Sequence, residues 1–220
     1  MGKQFEAGLK QLNDDLLRMG STVEESIATA MKAFIERKPD LAEKIIAEDE
    51  TIDHLENHIE DLCLKLLALH QPAATDLRFI IMAIKINSDL ERIADLAVNI
   101  ADRTVEQAGQ PHLKPLIDIP RMATLAEKMV HDALDAFLRR DPQLAQDVCA
   151  RDDEVDNLND QVFRELLTYM MADPTCIPRA VALLLVARYL ERIADHATNI
   201  GEEVVYMVQG KSIKHLHPPA

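Results

Sequence analysis

Two ten-residue segments carry the side chains of this sequence that are best suited to chemistry. Residues 91–100 read ERIADLAVNI, and residues 191–200 read ERIADHATNI. In each segment a Glu is followed four residues later by an Asp, so two carboxylates share one face of a helix, where like charges repel by a few tenths of a kcal/mol. Carboxylate oxygens are ligands that hard and borderline metal ions accept. The spacing therefore raises metal binding as the first chemical hypothesis.

A second pair of acids with the same spacing precedes each segment. In an antiparallel helical hairpin, residues equally far from the turn lie at the same level. With turns at Pro72 and between Asp173 and Pro174, each hairpin brings four carboxylates to one level. Four carboxylates cannot all ionise comfortably there without a cation. An Asn follows each motif at the next helix turn, and the candidate metal ligands are Asp49, Asp53, Glu91, Asp95 and Asn99, then Asp152, Asp156, Glu191, Asp195 and Asn199.

The same residues also fit two solvated helix faces, with Arg92, Arg192 and water as counterions. Three histidines are weaker candidates. His54 and His58 have a spacing that can bind zinc, but their arc lies away from the acidic stripe, which favours an exposed pair. His196 is an optional ligand, since Leu96 stands at the matching position.

The elements that must position these acids are repeated along the chain. Residues 23–53 align with 126–156 at a shift of 103, with eleven of 31 pairs identical. At the two motifs the shift is 100. Apolar residues recur at three- and four-residue spacing in every segment, which indicates amphipathic helices. The predicted fold is all-α, a tandem duplication of two antiparallel three-helix bundles with six long helices.

The duplication predicts four parts. Residues 1–108 form the first bundle and residues 121–210 the second. Between them, residues 109–120 are rich in proline and lack a helical period, which predicts a linker. Residues 211–220 are a tail. The third helices are expected near 75–107 and 177–209, and the second helix of the second bundle is expected to run unbroken from Pro142 to Asp173.

Composition excludes several classes of protein. The net charge is −14, and most of it lies in the two second helices, because residues 40–70 hold nine acids against two bases and residues 142–172 hold seven against two. Such a surface repels nucleic acid and anionic membranes. Three widely spaced cysteines predict neither a disulfide framework nor a thiolate zinc site. The longest apolar run is eight residues, so no membrane insertion is expected. A soluble, cytoplasmic protein is predicted.

The doubled LERIAD-x-A-x-NI motif, in two three-helix units with QPAATDLR at residues 71–78, resembles the PhoU family of phosphate-transport regulators. The resemblance covers residues 5–209. It implies a cytoplasmic, often homodimeric protein that works with the ATPase of a phosphate ABC transporter and with a sensor histidine kinase, and restrains the phosphate-starvation response. It also implies iron, zinc, manganese or magnesium at the acidic motifs. Ala94 and Ala194 stand where the family's motif often has Gly.

Catalysis is not expected, because the sequence has no nucleophile–base constellation and no phosphate-binding glycine loop. Two alternatives to a regulatory adaptor stay open. One is a metal-dependent redox or storage protein built in a helical bundle, although no histidine has a Glu three residues before it, as di-iron bundles require. The other is a general scaffold that binds partners without selectivity.

Overall fold

A computed structural model describes residues 2–213, which form helices and no strand. The helices are α1 (Lys3–Glu36), α2 (Pro39–His70), α3 (Ala74–Glu106), α4 (Asp118–Arg139), α5 (Pro142–Cys149), α6 (Asp152–Ala172) and α7 (Ile177–Gln209), with a short 3₁₀ helix at Pro174–Cys176. The predicted all-α fold is confirmed. Most of the predicted tail, residues 214–220, lies outside the described part of the chain.

The helix boundaries follow from local chemistry. α1 is followed by the capping residue Arg37, which adopts a left-handed conformation and donates its N–H to the carbonyl of Ala33. Pro39 then occupies the first turn of α2, where its missing N–H costs nothing. The second unit repeats this corner with Arg140 and Pro142, and adds a cap, because the Asp141 carboxylate accepts hydrogen bonds from two N–H groups of α5.

One prediction about the second unit is wrong. The second helix does not run unbroken from Pro142 to Asp173 but is divided at Ala150 and Arg151 into α5 and α6. At the break, the Arg151 N–H bonds to the Val148 carbonyl and the Glu154 N–H to the Arg151 carbonyl, each three residues back instead of four. These bonds tighten the backbone locally, as in a turn of 3₁₀ helix, and separate α5 from α6.

The helices form two layers. α2, α3, α7 and the α5–α6 pair lie side by side in that order, and α1 and α4 pack beneath them and against each other. α3 and α7 run antiparallel through the middle, joined by a Lys85–Glu203 ion pair at 2.9 Å and an Asp89–His196 pair at 2.8 Å. Apolar residues of both units contribute to one continuous core. The two motifs therefore lie side by side at the centre of the molecule.

The segment between the units packs against the body instead of standing free. α4 begins at Asp118, two residues before the end of the predicted linker. His112 donates from Nε2 to the Ile35 carbonyl at 3.1 Å, and the buried Lys114 pairs with Glu165 of α6. The boundaries 1–108, 109–120 and 121–210 stay a prediction as units of independent folding.

We expect Gly201→Ala to destabilise the protein. Alanine favours a helix over glycine by about 1 kcal/mol. However, a Cβ at Gly201 would lie 2.9 Å from the Ala145 carbonyl oxygen and 3.1 Å from Cys149 Sγ, so the backbone of α5 would have to move. Overpacking of this kind costs about 1–3 kcal/mol. Urea unfolding measures the change, and a more stable variant would show that α5 does not approach α7 so closely.

Candidate metal centre

The first carboxylate cluster, Asp49, Asp53, Glu91 and Asp95, lies between α2 and α3. Asp95 raises the pKa of Asp49 across the two helices, and Asp53 raises that of Glu91, in each case after burial, which is the largest cause. The interacting pairs are Asp49 with Asp95 and Asp53 with Glu91. They are the pairs predicted to face each other, because the two members of each lie equally far along the chain from the turn at Pro72. Asp95 and Asp53 therefore lie near enough to Asp49 and Glu91 across the two helices to affect their pKa values, while the role of all four as ligands stays a prediction.

The second carboxylate cluster, Asp152, Asp156, Glu191 and Asp195, repeats the arrangement between α6 and α7. Asp195 raises the pKa of both Asp152 and Asp156, second only to burial. Burial and then Asp195 raise the pKa of Glu191 to about 7, and Asp152 has a pKa of about 6. The break between α5 and α6 falls just before Asp152, so the cluster stands at the first turn of α6.

Both clusters face away from the α1–α4 layer. On α3, Asn87 donates to the Glu56 carbonyl of α2, and Asp89 pairs with His196 of α7. These two contacts show which side of α3 faces α2 and which side faces α7. Glu91 and Asp95 lie between these directions, opposite the buried Leu90, Ile93 and Ala97. On α7, Glu191 and Asp195 occupy the equivalent positions, opposite the buried Leu190, Ile193 and Ala197. Two clusters thus share one outer face, separated by α3 and α7, roughly 20 Å apart at usual helix spacings.

Arginine compensates part of this charge. Arg92 lies 3.3 Å from both Glu91 and Asp95, as predicted. In the second unit the partner of Glu191 is Arg188 and not the predicted Arg192, which only lowers the pKa of Asp195 from a distance. Sequence reasoning missed Arg188, although its spacing of three from Glu191 on one helix was a usable signal.

The other predicted residues lie outside the clusters or at their edges. His196 is directed to Asp89, so it is not placed as a ligand. His54 and His58 are exposed and pair with Glu50 and Asp15, which confirms an exposed pair. Asn99 and Asn199 are half-buried on the same helix faces one turn further on. Ala94 and Ala194 are fully buried.

The donor set fits a hard or borderline cation, although the carboxylates of each cluster stand apart from one another. Within residues 2–213, no three His, Cys, Asp or Glu side chains converge closely enough to hold an ion. The second cluster nevertheless leaves two buried carboxylate oxygens, Asp152 Oδ1 and Glu191 Oε2, without a hydrogen-bond partner. A buried unpaired carboxylate oxygen is costly, and a cation would satisfy it. Binding an ion there would require the side chains to rotate towards each other.

Without metal, we expect the protein to become less stable as the pH rises from about 4.5 to 7. The pKa of Glu91 and that of Glu191 are both raised to about 7 in the folded protein, so the folded state holds protons that the unfolded chain releases. Their favourable contribution is complete below the unfolded pKa and is lost as the pH passes the folded value. Thermal melts with chelator at pH 5 and pH 8 measure this, and Glu91→Gln with Glu191→Gln should flatten the dependence. An equal slope in that variant would contradict it.

No helix within residues 2–213 is long and apolar enough to cross a membrane.

All three cysteines are free and buried, in agreement with their wide spacing along the chain.

Comparisons with known proteins agree with the duplication and with the fold. The family model described as "PhoU domain" matches twice, at residues 16–104 and 119–204. A "phosphate-specific transport system accessory protein PhoU homolog" of Aquifex aeolicus is 44% identical over 209 residues, which is 95% of each chain.

Two solved structures are similar over their whole length. The crystal structure of PhoU from Pseudomonas aeruginosa is 39% identical with a TM-score of 0.91, covering 94% of this chain and all of that one. The phosphate transport system regulatory protein PhoU from Streptococcus pneumoniae is 30% identical with a TM-score of 0.89, covering 96% and 99%. The doubled motif, the doubled carboxylate cluster and these matches together mean that this chain belongs to the PhoU family.

Proposed function

We propose that this protein is an accessory regulator of a phosphate transport system and that it acts by binding other proteins. The proposal is supported by relatives that carry this name and match 95% or more of the chain. It is also supported by the charge of the chain, because most of the net charge of −14 lies on α2 and on the α5–α6 pair. A regulator of this kind works in the cytoplasm, as a homodimer, and does not need to be an enzyme.

The proposed partners are the ATPase of a phosphate ABC transporter and a sensor histidine kinase. In this role the protein reports the state of the transporter to the kinase and restrains the phosphate-starvation response while phosphate is plentiful. Control through protein contacts suits a net charge of −14, because this charge opposes direct binding to DNA.

The proposed cofactors are divalent or trivalent metal ions, namely iron, zinc, manganese or magnesium, held by the two carboxylate clusters. The observation that carries this is the second cluster, in which the pKa of Asp152 is raised to about 6 and that of Glu191 to about 7, and in which one buried carboxylate oxygen of each has no hydrogen-bond partner. Bound metal would supply the positive charge that lets the facing helices of each hairpin stay together at neutral pH. Asn99 and Asn199 would supply further oxygen ligands.

A reporter of phosphate starvation, in cells that lack the chromosomal gene and grow with ample phosphate, tests the role. The wild-type protein should repress the reporter and co-purify with the transporter ATPase. Asp152→Asn with Glu191→Gln should reduce both the metal content and the repression, whereas Asp61→Asn, an exposed acid on α2, should change neither. Repression that is absent with the wild-type protein would contradict the proposal. Oxygen consumption by the iron-loaded protein would support the redox alternative instead.

A further inference from the structure

Large exposed apolar side chains are concentrated at the ends of the two hairpins. Within residues 2–213, ten of the fifteen that are most exposed lie between 64 and 81 or between 163 and 181. In the second hairpin, Phe163 is 49% exposed, Leu167 39%, Ile177 42% and Val181 40%. A monomer rarely leaves so many large apolar groups together in water without a partner. We call this group, with the half-buried Met170 and Leu184, the tip strip.

The tip strip continues the line of the second carboxylate cluster. On α6, Asp156, Phe163 and Met170 are spaced by seven residues, and on α7 so are Ile177, Leu184 and Glu191. Seven residues are close to two full helical turns, so each set lies along one face. Because α6 and α7 are antiparallel, Met170 is level with Ile177 and Phe163 with Leu184. The two helices thus form one outer groove, apolar towards the tip and acidic towards the centre.

The first hairpin repeats the arrangement at equivalent positions. Its strip is made of smaller side chains without an aromatic ring: Leu64, Leu67, Leu77, Ile81 and Ile84. Both halves have kept an exposed apolar strip beside an acidic cluster, although each could have placed polar residues there at no cost to its core. The feature therefore belongs to the repeated unit and not to an accident of one helix.

We propose that the groove of the second hairpin binds an amphipathic helix of another protein. A groove between two antiparallel helices accepts a helix whose apolar residues recur at i, i+3, i+4 and i+7. Lys or Arg on that helix would lie over Asp153 and Asp160, two exposed acids seven residues apart on α6 that are not among the candidate metal ligands. This proposal rests on the proposed role as a protein-binding regulator, and it names the chemistry of the partner.

The acidic residues of the groove favour a basic helix over a second copy of this chain and over an anionic membrane. A second copy of the chain would bring its own acidic hairpin against the groove, and like charges facing each other oppose that contact. An anionic membrane surface is repelled by the same carboxylates. A basic amphipathic helix satisfies both the apolar and the acidic part of the groove.

The test uses a fluorescein-labelled synthetic helix of 18 residues with Leu at i, i+3, i+4 and i+7 and Lys along its remaining half. Fluorescence anisotropy gives its affinity for the full chain, and hydrogen exchange shows where it binds. We expect protection of residues 160–184. Phe163→Gln with Leu167→Gln should abolish that protection and weaken binding at this site at least tenfold, and a peptide with Glu in place of Lys should also bind at least tenfold more weakly.

The matched control is Leu17→Gln with Ile35→Gln, two α1 side chains that are 44% and 38% exposed. This variant should bind the Lys peptide within twofold of wild type. Equal loss in both variants, or no protection of residues 160–184, would overturn the proposal. So would a dimer in sedimentation that the Phe163 and Leu167 variant converts to monomer, or protection by anionic vesicles. Each failure leaves the reporter and metal measurements unaffected, so the proposed function is judged separately.

Discussion

Replacing Asp53 with Asn and Glu91 with Gln is expected to stabilise the metal-free protein and to destabilise it, relative to wild type, when metal is present. The variant keeps the shape of both side chains and removes their charge. Without metal, the relief of repulsion should add about 0.5–1 kcal/mol, since Glu91 is desolvated beside Asp95 and its contact with the exposed Arg92 is worth little. With metal at a hundred times its Kd, wild type gains about 2.7 kcal/mol that the variant loses.

Four thermal melts decide the matter, with wild type and variant each measured in chelator and in Zn²⁺, Mn²⁺ or Mg²⁺. The expected crossover is a higher Tm for the variant in chelator and a higher Tm for wild type in at least one metal. The equivalent change in the second cluster, Asp156→Asn with Glu191→Gln, is the matched control and should give the same crossover. Two solvated helix faces would behave differently: both variants would gain slightly in every condition, and chelator would leave wild type unchanged.

The levels of the carboxylates could be predicted from the sequence because they depend on local rules. Helical spacing fixes which residues share a face, and two prolines mark the turns from which levels are counted. These rules place Asp53 opposite Glu91 and Asp156 opposite Glu191 without any knowledge of how the two units meet. In the folded protein Asp53 contributes to the raised pKa of Glu91, and Asp156 to that of Glu191.

The features that the sequence did not predict depend on contacts between distant segments. The break at Ala150 has no proline or glycine to mark it, and it lies where α5 packs closely on the backbone of Gly201. The Asp89–His196 pair joins residues more than a hundred positions apart, so no periodicity could assign His196 to α3 instead of to a metal. Glu191 pairs with Arg188 and not with Arg192, and this depends on side-chain conformations that the sequence pattern does not determine.

The way in which α3 and α7 share a core predicts how the whole protein unfolds. Phe79 of the first unit stacks on Phe137 of the second with ring centroids 5.3 Å apart, and apolar residues of both units form one core. Unfolding of one unit would expose the apolar surface of the other. We therefore expect residues 2–213 to unfold in a single cooperative transition and not in two independent ones.

Phe34→Ala tests this, because the change lies in the first unit and the tyrosines lie in the second. Phe34 is buried, and its removal should cost about 3–5 kcal/mol. The protein has no Trp, and its three tyrosines, Tyr169, Tyr189 and Tyr206, all belong to α6 and α7. Tyrosine fluorescence thus reports the second unit, while circular dichroism reports both. In urea, the two signals should shift together to the same lower midpoint. A tyrosine transition that stays at its wild-type midpoint while circular dichroism becomes biphasic would mean that the units unfold separately, and that the shared core contributes little to either.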